Sequence, residues 1–281
     1  MNQRLIGVCL VTVSALAVVL AGCDLEPAAQ SPMQGQAQRV QKLSYPMSKN
    51  AVLDVEAANG TIVVTGGGGN DCQVTAGVVV QASSQHAAQD LASRVRIATE
   101  TTKDGLQIRS DAPLPLMGQT IAVNYEIALP ASCGLTAKTG NGAVVVNTLA
   151  GPVKITCTNG NVTIRDCTGS VLAKADNGPI NATGLKSDCD LKSGNGGVLA
   201  LYGPNTQAAT NIHIASRNGG IELQPPKQLS AALDLSARNG TIRCAWPLKM
   251  SLLDKHQKGT LGKGDAKVVL ATENGSIVVR E

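Results

Sequence analysis

From about residue 45 to the C-terminus, apolar and polar residues alternate in short bursts, and each burst is tied to one dipeptide. Asn-Gly occurs eight times, at Asn59, Asn141, Asn159, Asn177, Asn195, Asn218, Asn239 and Asn274. Half of the 16 Asn beyond residue 22 precede Gly, where composition alone would give about two such pairs. Aliphatic residues stand six and four before the Asn (Val153 and Ile155 before Asn159), a small residue two before (Cys157), and aliphatics three and five after (Val162 and Ile164). Period-two alternation is the signature of a β-strand with one buried face. Asn-Gly predicts a tight turn, because both residues tolerate positive φ. A second Gly between successive pairs (Gly151, Gly169, Gly184) marks a return turn. One unit is therefore two short strands and two turns.

The Asn residues from Asn141 to Asn195 are 18 residues apart. A constant coil length is what a solenoid needs, each rung stacking its apolar positions on the last. The predicted fold class is all-β, a β-solenoid or β-helix-like stack of short strands. The alternative is an antiparallel β-meander, whose type I′ hairpin turns Asn-Gly also favours. In a stack the eight Asn line one edge, either as turn formers only or as a hydrogen-bonded amide ladder. A non-repeating insert occupies about 74–130. It reads as a strand over 74–80, a short helix capped by Ser83 or Ser84 with Ala87, Ala88, Leu91, Ala92 and Val95 on one face, and strands over 106–109 and 121–129 separated by a Pro-rich turn at 112–118. It is expected to lie beside or cap the first coils.

The initial Asn-Gly strand pair, the strand–helix–strand insert, the segment YEIALP ending at Pro130, LTAKTGNGAVVV and the successive NG-x-[VI] coils together resemble the bacterial putative-adhesin family, β-strand-repeat domains of unknown function found in exported and membrane-attached proteins. The resemblance covers about 45–281 and implies the fold. It implies an adhesin-like role only through the family label, and it brings no catalytic residues with it.

The N-terminus reads as an export signal. Arg4 precedes an apolar run from Leu5 to Ala21, and Leu20-Ala21-Gly22-Cys23 looks like a bacterial lipoprotein cleavage box. That resemblance implies removal of residues 1–22 and lipidation of Cys23, with enough acyl chains for a stable anchor. An uncleaved apolar anchor is the alternative. Residues 23–44, rich in Gln, Ala, Pro and Ser without an apolar face, read as a lipidated flexible tether. The β-strand-repeat domain is expected at 45–281. The localisation that follows is the bacterial cell envelope, lipid-anchored to a membrane whose identity and facing the sequence does not specify.

One Trp, three Tyr and no Phe in a chain that is 43% hydrophobic leave a core of Val, Ile, Leu and Ala, which suits a narrow stack. A formal charge of +4 without a clustered basic face or stacking aromatics argues against nucleic acid. After Cys23, six cysteines remain: Cys72, Cys133, Cys157, Cys167, Cys189 and Cys244. An even count in an exported chain suggests disulfides, with Cys167 and Cys189, near return turns of neighbouring coils, the best candidate pair. Cys157, Cys189 and Cys244 also fall on inward positions, where a thiol can replace Val or Ala. His86, His213 and His256 are scattered, no two Cys are close in sequence, and the stretch from Gly66 to Asp71 matches a calcium β-roll pattern only once. No metal and no cofactor is expected.

β-Helical polysaccharide enzymes need carboxylates clustered on one face. The outward positions five before each Asn (Asp54, Thr136, Lys154, Leu172, Asp190, His213, Asp234, Val269) hold no such cluster. Lys138, Lys174 and Lys192, three before their Asn, form a candidate ligand-facing basic row, suited to an anionic glycan or lipid headgroup or simply to solubility. The expected function is an exported, lipid-anchored, non-catalytic binding or structural module of the envelope, adhesin-like. Its partners would be the membrane through its anchor and a glycan, matrix component or envelope protein. A periplasm-facing structural or sensory partner protein is the alternative, and a polysaccharide-active enzyme comes last. The sequence carries no signal for oligomeric state.

Overall fold

The computed structural model describes residues 35–246, 249–250 and 255–281. The export signal, Cys23 and the first part of the tether lie outside these residues. Strand β1 (Gly35–Pro46) leads into the first coil, β2 (Val52–Asn59) and β3 (Ile62–Gly67). β4 (Asp71–Ala82), helix α1 (Gln85–Arg94), β5 (Arg96–Thr102), β6 (Gly105–Asp111) and β7 (Thr120–Pro130) follow. The regular coils are β8 (Gly134–Asn141) with β9 (Val144–Asn147), β10 (Val153–Asn159) with β11 (Val162–Arg165), β12 (Val171–Asn177) with β13 (Ile180–Leu185), β14 (Cys189–Asn195) with β15 (Val198–Tyr202), and β16 (Ile212–Asn218) with β17 (Ile221–Gln224). The chain ends in β18 (Ala231–Asn239) with β19 (Ile242–Cys244), the short β20 (Lys249–Met250) and β21 (His256–Leu261), and β22 (Ala266–Asn274) with β23 (Ile277–Val279).

The first strand of each coil joins a 12-stranded sheet and the second an 11-stranded sheet. Neighbouring coils pair in parallel with equivalent residues opposite one another, so that Asn141, Asn159, Asn177 and Asn195 share one row and Ile164 lies between Val146 and Ala182. Parallel pairing decides for the solenoid-type stack against the antiparallel meander. Every residue six, four and two before a repeat Asn is buried, and so are those three and five after it except Ile242 and Cys244 at the far end. The two inner faces therefore meet along columns of aliphatic side chains, one residue per coil.

The Asn-Gly pairs differ from the turn predicted for them. None of the eight Asn has positive φ; each ends a strand. The Gly carries the unusual backbone, with φ of 152° at Gly160, and a Cβ there would sit 2.0 Å from the carbonyl oxygen of Gly142 one coil below. Glycine is required because adjacent coils approach too closely for any side chain. The Asn is freed for a side-chain role.

Chain order and spatial order diverge at both ends. β22–β23, the last coil in sequence, inserts between β16–β17 and β18–β19. At the other end the insert caps both sheets: β4 and β7 extend the 11-stranded sheet antiparallel to each other, while the β5–β6 hairpin extends the 12-stranded one. Ser84 caps α1 by accepting from the Ala87 N–H at 3.2 Å, and Ala88, Leu91 and Ala92 are buried. One expectation is corrected here. Residues 35–44, assigned to the flexible tether, form most of β1, paired antiparallel with β4 from Gly35–Ala82 to Pro46–Asp71. The inward side of β1 mixes Ala37, Leu43 and Tyr45 with Gly35, Arg39 and Gln41, which is why apolar alternation does not reveal it.

Candidate functional site

Two features run the length of the stack. The first is an edge. Each repeat Asn donates from Nδ2 to Oδ1 of the preceding one in space, in the order Asn59, Asn141, Asn159, Asn177, Asn195, Asn218, Asn274, Asn239, at 2.6–2.9 Å. At the cap, Asn59 Nδ2 reaches the Ile121 carbonyl at 3.4 Å. A parallel inner line explains the small residues two before each Asn: the hydroxyls of Thr139, Ser193, Ser216 and Thr272 and the Cys157 thiol each donate to a Gly carbonyl of the neighbouring coil, at 2.9–3.4 Å.

The second feature is the outer face of the 12-stranded sheet, where alternate residues line up in rows about 4.8 Å apart from coil to coil. The row three before the Asn reads, in space, Glu56, Lys138, Thr156, Lys174, Lys192, Ala215, Ala271, Ser236. Lys174 and Lys192 are direct neighbours, with Lys138 two strands from Lys174. Two of these cations are already paired: Lys174 Nζ lies 2.8 Å from Asp176 and Lys192 Nζ 3.0 Å from Asp190. The row predicted as basic is therefore partly neutralised, although such exposed pairs stay exchangeable for a ligand.

Two grooves adjoin on this face. One, of about 620 Å³, runs across the strand starts, with Val52, Pro152, Leu172 and Val269 giving apolar surface and Lys154 and Lys267 at its rim. Asp190, bonded to Lys192, also lies 3.1 Å from His213 Nδ1 here. The other, of about 690 Å³, lies towards the Asn edge. Gly194, Ala215 and Ala271 leave it open, and Lys174, Lys192, Arg217 and Arg238 outnumber Asp176 and Glu273 around it. Sequence reasoning missed Arg217 and Arg238. They share the position one before the Asn, and the inserted last coil places Glu273 between them.

The Toastrack DUF4097 family matches this chain over residues 43–280. The chain belongs to that family. No curated protein matches it. Two crystal structures are similar to this Toastrack chain: a putative cell adhesion protein from Clostridium sporogenes (10% identity, 85% of this chain and 98% of that one, TM-score 0.37) and a putative adhesin from Bacteroides fragilis (12% identity, 86% and 97%, TM-score 0.45). At those scores neither bears on what the Toastrack chain binds, and the functional argument rests on its own geometry.

The cysteines of the Toastrack domain correct another expectation. All six from Cys72 to Cys244 are free thiols, and the proposed Cys167–Cys189 pair does not form. Leu149, Cys167 and Leu185 follow at 18-residue intervals and are all buried, whereas Cys189 stands over Val171 in a strand column. Stacking thus puts Leu185, not Cys189, one coil beyond Cys167. Burial pushes the Cys72 thiol up to about 12, with Cys133 nearby adding to it, and burial likewise lifts Cys189 to about 12. Neutral buried thiols neither exchange nor bind metal readily. Cys244, half-buried at the far end, is the accessible one.

Proposed function

We propose that this Toastrack chain is an exported, lipid-anchored, non-catalytic binding module of the bacterial cell envelope, and that the outer face of its 12-stranded sheet takes an anionic glycan. The observation that carries the proposal is the adjoining pair of grooves, an apolar trough around Pro152 and Leu172 beside an open floor ringed by four cations and two acids. Sugar rings offer apolar faces, and carboxylated or sulfated glycans repeat their charges along a chain, so a rigid face with regularly spaced cations suits them. A lipidated Cys23 and a short tether would keep that face close to a membrane.

Against catalysis stand two points. Among the described residues no three His, Cys, Asp or Glu side chains converge as metal ligands. The Asp190–His213 and Asp234–His256 pairs lie on open sheet surface, and among the described residues neither His is hydrogen-bonded to a nucleophile. The second reading, a periplasm-facing structural or sensory partner, draws on edge strand β5, whose outer side is unpaired among the described residues and open to a partner strand.

The mature chain should bind dextran sulfate and not neutral dextran, and Arg217→Ser with Arg238→Ser should weaken that binding by about tenfold. Equal binding of the two polymers, or an unchanged double variant, rejects the glycan site. Protease shaving decides the facing: cleavage on intact cells keeps surface adhesion, while cleavage only after outer-membrane permeabilisation favours the periplasmic reading.

A further inference from the structure

Between β6 and β7 the chain holds out the most exposed large apolar side chains among the described residues: Leu114, Leu116 and Met117 are 92%, 73% and 104% exposed. The loop is shaped, not slack. The Leu116 carbonyl accepts from the Gln119 N–H and the Gln119 side-chain oxygen accepts from the Leu116 N–H, both at 3.0 Å. Gly118 at φ 80° completes this turn and leaves Met117 at its tip. Pro113 and Pro115 stiffen the approach. Among the described residues nothing covers these side chains. At the base of the loop Arg96 stands opposite Asp111.

The ladder fixes where this loop lies. Gly35 partners Ala82, and Gln81 partners Thr120, so Gly35, Ala82 and Gln119 fall in one row across β1, β4 and β7. That row is about 10 Å wide. β1 and β7 run in the same direction, so the chain preceding Gly35 meets the domain at the end from which the loop projects. Cys23 is 12 residues before Gly35. That length reaches about 40 Å fully extended and about 20 Å as a coil.

We propose that Leu114, Leu116 and Met117 insert into the interface of the bilayer that carries the anchor, seating the cap on lipid and setting the direction in which the stack projects. The inference rests on the lipid-anchored reading of Cys23. An acyl anchor alone would leave the domain free to swivel; a second contact about one strand-row away would fix its orientation. Acylated chain reconstituted in phosphatidylethanolamine–phosphatidylglycerol vesicles should show hydrogen exchange in residues 112–119 at least about tenfold slower than the same chain in solution with Cys23→Ser. The combined Leu114→Asn, Leu116→Asn and Met117→Asn variant should lose that protection while melting as the parent does. Unchanged exchange on vesicles overturns the proposal. So does protection that persists without lipid and vanishes as a dimer dissociates, which would assign the loop to a second copy. Intact mass of chain isolated from cells reports acylation separately. If Cys23 carries no lipid, the anchor reading fails, and sedimentation of the unacylated parent and loop variant with the same vesicles then decides the loop: greater binding by the parent supports insertion, and equal binding overturns it.

The opposite end of the stack carries an independent inference. In seven of the eight Asn-Gly pairs the Gly N–H donates to the carbonyl of the Asn one coil further on, from Gly60 to Asn141 at 2.7 Å through Gly275 to Asn239 at 3.2 Å. Among the described residues the Gly240 N–H has no such partner, and Asn239 donates to Asn274 but has no amide stacked on its own oxygen. Asn-Gly loses ammonia readily because a Gly nitrogen meets no Cβ on its way to the side-chain carbonyl. We infer that Asn239 is the deamidation site of the folded chain. The Gly240 nitrogen attacks Asn239 Cγ, the side-chain amide leaves as ammonia, and water opens the succinimide to an aspartyl or isoaspartyl residue. The resulting carboxylate can no longer donate to Asn274. In mildly alkaline buffer, peptide mapping should find Asn239 converting about tenfold faster than the other seven. Unfolding in guanidinium should erase the difference. Another Asn-Gly pair converting as fast in the folded chain overturns the inference.

Discussion

In the regular stack from β8 to β17, strands of four to eight residues run parallel, and each side chain packs on its own equivalent one coil away. In the cap, β1, β4 and β7 run 11 or 12 residues and pair antiparallel with one another, so across those two ladders each side chain meets a neighbour of unrelated position, and only the β3 side of β7 keeps the parallel register. Aromatic residues follow the division: Tyr45 and Tyr125 lie in the cap, Tyr202 ends β15 before a long break, and Trp246 follows β19. None stands inside a column of the regular coils: Tyr125 closes one at the cap, in register with Ile62, and Tyr202 closes another beyond Leu185. A column admits only side chains that can be stacked on themselves at strand spacing, which selects aliphatics, small hydroxyls and amides. The cap tolerates any residue that fits its one partner.

The largest break in that comparison should come from a charge placed in a column. Ile164 is fully buried between Val146 and Ala182. Ile164→Asp should cost about 4 kcal/mol or more, because an ionised carboxylate there has neither water nor a partner. Thermal melting should show the cooperative transition lost or greatly lowered. Leu172→Asp, on the outer face and 43% exposed, should stay within about 0.5 kcal/mol of the parent. A similar loss at both sites would mean that the inward and outward faces have been assigned wrongly.

Glycines give the next contrast. Gly160→Ala combines a φ of 152° with a Cβ placed 2.0 Å from a carbonyl oxygen, and should cost about 3 kcal/mol. Gly77 lies in cap strand β4, where an added Cβ would come no closer than 3.9 Å to Asn124. Gly77→Ala should be neutral or stabilising by about 0.5 kcal/mol. Denaturant midpoints of the two variants measure the difference between a strand that must be stacked upon and one that need not be.

The same contrast governs what is legible in the sequence. The stack can be read because Val153, Ile155, Val162 and Ile164 recur in kind eight times over. β5 (RIATETT) cannot, since an edge strand needs no buried alternation. β1 cannot, since Arg39 and Gln41 interrupt the apolar residues on its inward side. The insertion of the last coil is hidden for a subtler reason: Val268 and Leu270 satisfy the same columns as Leu233 and Leu235, so either coil fits beside Ile212 and Ile214. In the candidate site, the Lys row was visible, and so in principle were Asp176 and Asp190, two residues from Lys174 and Lys192 and hence on the same face. Arg217 and Arg238 were not, because their setting depends on that hidden order.

The Asn edge allows a graded test. Asn177→Ala removes two amide bonds from the middle of the ladder, and Asn239→Ala removes one from its end. The expected losses are about 1.5 and about 0.7 kcal/mol by chemical denaturation, both modest because the edge is solvent-exposed. Equal losses would show that the number of ladder bonds an Asn makes does not set its contribution.

The smallest effect is expected at the far end, where β18 pairs antiparallel with β21 and so follows the cap's rule rather than the stack's. Asp234 Oδ1 lies 2.5 Å from His256 Nε2, and Oδ2 lies 3.2 Å from Lys258 Nζ. Partial burial alone would raise its carboxyl, but the hydrogen bonds and charges of His256 and Lys258 outweigh it and hold the group below the ordinary value of 3.8. Above that value the carboxylate is ionised in folded and unfolded chains alike, and the stabilisation is fully present. As pH falls below it, the unfolded chain takes up the proton first, and the contribution fades until the folded carboxyl is protonated too. The parent should therefore melt slightly above Asp234→Asn at about pH 5 in low salt, with the gap closing towards about pH 2. A gap that stays constant across that range would mean that Asp234 contributes through packing or hydrogen bonding to a neutral partner, and not through its charge.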